Sequence, residues 1–155
     1  MHAADYADQL LAIARARGAD LPYAGALTPQ EAYQLLQLAP GARLVDVRTD
    51  AERAWVGQVA LPASQHVAIE WTRWPGGAAN PAFVDQLNDV AAKDDVLLFL
   101  CRSGVRSRHA ATLATQQGFR NAFDILEGFE GDKDSAGHRK HLAGWCKAEL
   151  PWIGA

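Results

Sequence analysis

Cys101 stands at the head of a short basic loop, Cys101-Arg102-Ser103-Gly104-Val105-Arg106-Ser107, with Arg108 next in the chain. A thiol becomes a good nucleophile when positive charge and hydrogen-bond donors stabilise its thiolate. Arg102, Arg106 and Arg108 bring the charge. Gly104 can take backbone angles that other residues resist, so the N–H groups of residues 102–106 can converge on one point, as in an anion-binding nest. A helix starting at the loop's end would add the partial positive charge of its N-terminus. These residue types in this order suit a reactive cysteine that receives a small anion.

The flanking sequence supplies the elements that such a loop needs. Val96 to Leu100 are five apolar residues bounded by Lys93-Asp94-Asp95 and Gly104. A run of this length between turn signals reads as a strand buried on both faces. Cys101 then lies at the strand's carboxyl end, where open α/β sheets bind ligands. Arg106 or Ser107 to Gln117 reads as a helix, closed by Gly118. Upstream, Tyr6–Arg17 reads as a helix with Leu10, Leu11 and Ala14 on one side, and Asp20–Ala26 as a linker. Thr28-Pro29-Gln30-Glu31 is a capping box with proline at the first helical position. Ala32, Leu35 and Leu36 give that helix its apolar side. Arg43–Val47 reads as a strand, and Thr49-Asp50-Ala51-Glu52 as a second capping box. Asp46 and Arg48 fall at the strand's carboxyl end and are read as structural support, with Asp46 near the loop. Gln65–Ile69 is a further strand, and Asn80-Pro81 opens a helix with Phe83, Leu87 and Val90 inward. Asn121–Leu126 is the last strand. His66 reads as a satisfied core or surface histidine. Trp71 and Trp74 read as core or edge cover, with the wall of a pocket as the alternative. Residues 132–141 read as a polar surface excursion in which His138 and His141 are solvated. Cys146, beside Trp145, reads as packing.

The loop CRSGVRS after an apolar strand resembles the active-site loop of rhodanese-like domains, the thiosulfate sulfurtransferase family. Leu44-Val45-Asp46-Val47-Arg48 is similar to that family's first strand motif. Residues 51–62, the Ile125-Leu126-Glu127-Gly128 segment and the stretch from Gly144-Trp145 to Leu150-Pro151 resemble its later segments. The chain departs from the family pattern at Gln58, where a histidine is usual, and at Phe129, where a second glycine is usual. The resemblance runs from Thr28 to Trp152. It implies a rhodanese-like α/β fold, a central and mostly parallel sheet flanked by helices on both faces. The expected division is a helical extension over residues 1–26 and a rhodanese-like domain over 27–155. It also implies sulfur transfer with Cys101 and Arg106 as catalytic residues. Arg102, Ser103, Gly104, Val105 and Ser107 would bind substrate. The expected partners are a small anionic sulfur donor such as thiosulfate and a thiol, protein thiol or cyanide acceptor. No cofactor or metal is expected.

Two other function classes fit these residues less well. Cysteine-based phosphatases and arsenate reductases resemble Cys-x5-Arg at their sites, whereas Cys101 and Arg106 give Cys-x4-Arg. The shorter loop makes a smaller cradle, suited to one sulfur atom. Non-catalytic relatives of the family typically lose the cysteine, which is kept here.

Composition fits a soluble globular class, and the length fits one domain. The 155 residues are 49% hydrophobic and 21% charged, with a net charge of −3 that disfavours binding to nucleic acid or an anionic membrane. Two cysteines make no disulfide framework, and their spacing suggests no zinc site. No signal peptide or transmembrane run is read, so a cytoplasmic, reducing compartment is the expectation.

Overall fold

Apolar runs that are buried on both faces favour a parallel sheet, because each crossover helix covers one face. The computed structural model describes residues 2–154 and has this architecture. Five strands form one sheet: β1 (Gly25–Leu27), β2 (Arg43–Asp46), β4 (His66–Ala68), β5 (Val96–Leu100) and β6 (Asn121–Ile125). Their order is β1-β6-β5-β2-β4, with every neighbouring pair parallel. β5 is the central strand. Leu98 pairs in register with Leu44 on one side and Phe123 on the other.

Alternate side chains of β5 point to opposite faces. Leu98 and Leu100 join a core with α1 (Ala3–Arg17) and α2 (Pro29–Leu38). Leu97, Phe99 and Cys101 join a second core with α4 (Phe83–Val90) and α5 (Val105–Gln116). Both expected capping boxes form, at Thr28 before α2 and at Thr49 before α3 (Asp50–Trp55). No helix among the described residues is long and apolar enough to cross a membrane.

Several local expectations need correcting. The end of the expected linker, Gly25 and Ala26, is the start of β1, an edge strand too short and too small-sided to show alternation. α1 lies on it, with Ala7 and Ala14 buried, so the N-terminal helix shares the first core. Gln65 belongs to a short 3₁₀ turn, and its amide donates to Leu36 O and Ala42 O. The fourth helix begins at Phe83 rather than Asn80, and Val90 is 40% exposed, because only Phe83 and Leu87 of its apolar residues are buried. The Nε2 of His66 is buried without a hydrogen-bond partner among the described residues, so this histidine is not satisfied by them. A two-stranded antiparallel sheet, β3 (Gly57–Val59) with β7 (Trp152–Gly154), was not anticipated.

Candidate active site

Chain direction alone brings Cys101 to the carboxyl end of the sheet's central strand. Its side chain is buried. Gly104, in the left-handed region at φ 110°, turns the chain and caps α5. Its N–H donates to Cys101 Sγ at 3.0 Å. Ser107, one turn into α5, holds its Oγ 3.3 Å from the same sulfur. The loop is braced from behind. Phe129 N–H donates to Cys101 O, and the N–H groups of Glu130 and Gly131 donate to Arg102 O. Gly128 makes this close approach possible: a Cβ there would lie 2.5 Å from the Arg102 carbonyl, and its φ is 70°.

The expected site residues separate by position. Gly104 and Ser107 are buried and face the sulfur. Ser103 is half-buried. Val105 is 52% exposed, at the first position of α5, so its side chain is turned to solvent. Arg102 is exposed, Arg106 half-buried, and both line a cavity of about 380 Å³ with Thr49, Glu52, Thr72 and Trp74. Trp74 meets Trp55 edge-to-face at 5.6 Å, and both rings are largely exposed at this mouth.

Arg106 is not free. Glu52 of α3 takes it in a bidentate pair, Nη1 to Oε1 at 2.6 Å and Nη2 to Oε2 at 2.9 Å. Burial pushes the Glu52 carboxyl up, but the hydrogen bonds and charge of Arg106 outweigh this and hold it down at about 2. Burial works against the Arg106 cation as well, and the Glu52 bonds and charge raise it above the ordinary arginine value.

Asp46 and Arg48 form a wholly buried ion pair on the opposite face of the sheet from Cys101. Arg48 donates from Nε and Nη2 to the Asp46 carboxylate and from Nη2 to Gly57 O, and its guanidinium lies 4.2 Å over the Phe129 ring. Support is therefore their role, and Phe129 is the buried anchor of the turn behind the loop. His138 and His141 are exposed, as expected, and His141 Nδ1 also pairs with Asp134 Oδ2 at 2.8 Å on the surface excursion. Burial raises the Cys146 thiol to about 11, in keeping with a packing residue.

The sequence reading missed two acids. Glu52 was legible only as a capping residue, since its partner lies fifty-four positions away. Asp124 is fully buried on β6, and its Oδ1 accepts from Ser107 Oγ at 2.5 Å. An acid at an inward position of the last strand was the available signal.

The family model described as Rhodanese-like domain matches residues 28–135. The chain belongs to the rhodanese-like family. A thiosulfate sulfurtransferase, GlpE of Haemophilus influenzae, is 32% identical over 128 residues, 81% of this chain and 90% of its own. The crystal structure of Rv0390 from M. tuberculosis is 41% identical, with a TM-score of 0.78, covering 86% of this chain and 99% of that one. The polysulfide-sulfur transferase of Wolinella succinogenes, 19% identical with a TM-score of 0.59 over 97% of this chain and 90% of its own, shares the fold. In this rhodanese-like chain the cysteine loop, the mouth and the braced turn all fall at the carboxyl end of the parallel sheet.

Proposed function

We propose that this rhodanese-like chain transfers a sulfane sulfur through a persulfide on Cys101. One observation carries the reading: the Cys101 sulfur receives a hydrogen bond from Gly104 N–H and faces the Ser107 hydroxyl, in a loop whose Arg102 and Arg106 line a cavity. The name of the Haemophilus relative supports thiosulfate as a donor.

The cycle has two half-reactions. The Cys101 thiolate attacks the outer sulfur of thiosulfate. The donor's S–S bond breaks, and sulfite leaves with the electron pair. Cys101 then carries a persulfide whose terminal sulfur bears the negative charge. An acceptor thiolate or cyanide attacks that sulfur, the new S–S bond breaks, and the Cys101 thiolate returns. No other group is needed to balance either step. Gly104 N–H and the Ser107 hydroxyl stabilise the sulfur anion. Arg106, held in place by Glu52, meets the sulfonate end of the donor, and the exposed Arg102 assists it. Ser103 and the backbone at Val105 shape the loop around the sulfur.

Thiocyanate formation from thiosulfate and cyanide tests this directly. Cys101→Ser should abolish turnover while the fold persists. Arg106→Ala should weaken donor use by about 1.5–3 kcal/mol, the value of a hydrogen bond to a charged group. Unchanged thiosulfate kinetics in Arg106→Ala would remove that residue from the donor site.

A further inference from the structure

Asp124 has no part in the cycle above, yet it is tied to the reacting sulfur. Its Oδ1 accepts from Ser107 Oγ at 2.5 Å, and Ser107 Oγ lies 3.3 Å from Cys101 Sγ, where it accepts the thiol hydrogen. All three residues are buried. Asp124 Oδ2 is buried as well and has no hydrogen-bond partner among the described residues. A carboxylate oxygen sealed from water without a donor is costly as an anion and far less so as a neutral acid. Few charges oppose this. Arg108 on α5 acts on Asp124 through space, and the Tyr23 phenol, from the segment before β1, faces it. Its register neighbours, Ala26 on β1 and Phe99 on β5, carry no charge. Burial raises the Asp124 carboxyl to about 7, against the Ser107 bond and the Arg108 charge.

We propose that Asp124 takes up the proton that Cys101 gives up, passed through Ser107. This rests on the sulfur-transfer reading only in that it concerns the thiolate at Cys101. In the starting state Cys101 S–H donates to Ser107 Oγ, and the Ser107 hydroxyl donates to the Asp124 carboxylate. In the shift, the thiol hydrogen moves to Ser107 Oγ while the serine hydrogen moves to Asp124 Oδ1. One S–H and one O–H bond break, two O–H bonds form, no electrons are transferred and the net charge is unchanged. Afterwards Asp124 donates to Ser107, and Ser107 donates to the sulfur beside the Gly104 N–H. The negative charge has moved from a carboxylate oxygen pair with one buried unpartnered atom to a sulfur that accepts from the Gly104 N–H and the Ser107 hydroxyl. Asp124 is thus a positioning residue that acts through Ser107.

The test is the ultraviolet thiolate absorbance of Cys101 against pH, in a Cys146→Ser background that leaves one thiol. Two groups that share a proton titrate in two macroscopic steps. The parent should therefore gain its thiolate signal in two steps. Asp124→Asn, which keeps the shape of the side chain, should gain it in one. Ser107→Ala, which cuts the connection and removes a single buried oxygen, should also show one step. Ser107→Thr, which restores the hydroxyl, should return to two. Near-ultraviolet circular dichroism checks that each variant is folded. A single step in the parent overturns the proposal, and so do two steps that survive in Asp124→Asn or Ser107→Ala. The readout needs no sulfur donor. Two steps as expected, with no persulfide from thiosulfate, would leave the relay standing and remove the sulfur-transfer reading instead.

Discussion

Replacing Glu52 by glutamine removes one charge from the mouth and leaves the start of α3 in shape, since either residue serves at the third position of a capping box. Its carboxyl lies at about 2 in the folded chain against an ordinary 4.5. A difference of roughly 2.5 units corresponds to about 3.4 kcal/mol at most. The Glu52 and Arg106 side chains are 20% and 21% exposed, so solvent screening brings the expected contribution to about 2 kcal/mol. The sign follows from the lowered value. The stabilisation is fully present above about pH 4.5 and is lost as the pH falls towards about 2. Urea unfolding of wild type and Glu52→Gln, each at neutral pH and near pH 2, measures it. The variant should be about 2 kcal/mol less stable at neutral pH, and the two proteins should converge near pH 2. Equal stability at neutral pH, or a gap that persists in acid, would refute the reasoning. The same variant leaves Arg106 without its counter-charge. An exposed charge pair near 4 Å is worth about 1 kcal/mol, so the thiosulfate KM should fall about fivefold.

Three further outcomes test the frame around the site. Asp46→Ala strands Arg48 as an unpaired buried charge and should cost about 3–5 kcal/mol in denaturant unfolding. Gly128→Ala places a methyl against the Arg102 carbonyl at a positive φ; it should cost more than about 2 kcal/mol and reduce turnover, because the turn that braces the Cys101 loop must move. Cys146→Ser should leave thiosulfate kinetics unchanged, and in the Cys101→Ser variant the remaining thiol should resist alkylation near neutral pH, as its value of about 11 requires.

The parts of this fold that could be read in the sequence are those written locally. Val96–Leu100 is a continuous apolar run, and the boxes at Thr28 and Thr49 each satisfy their own first turn. The cysteine loop is also local, because Gly104 and Ser107 lie within six positions of the sulfur they contact. The strands at Gly25–Leu27, Gly57–Val59 and Trp152–Gly154 were not legible. Each is three residues long, shorter than the alternation that would reveal it, and each depends on a partner distant in the chain. The two acids of the site were hidden for the same reason. Glu52 completes its capping box within α3 and reaches Arg106 only once α3 and α5 meet at the sheet's end. Asp124 looks like an ordinary polar residue of a strand until β6 is placed beside β5, with α5 above it.

Intact mass of the reduced protein after thiosulfate, and again after cyanide, tests the central claim most directly. Wild type should gain about 32 Da, one sulfur atom, on Cys101 and lose it to cyanide, while Cys101→Ser gains nothing. A gain that persists in Cys101→Ser, or no gain on wild type from thiosulfate or from any persulfide donor, would contradict the account.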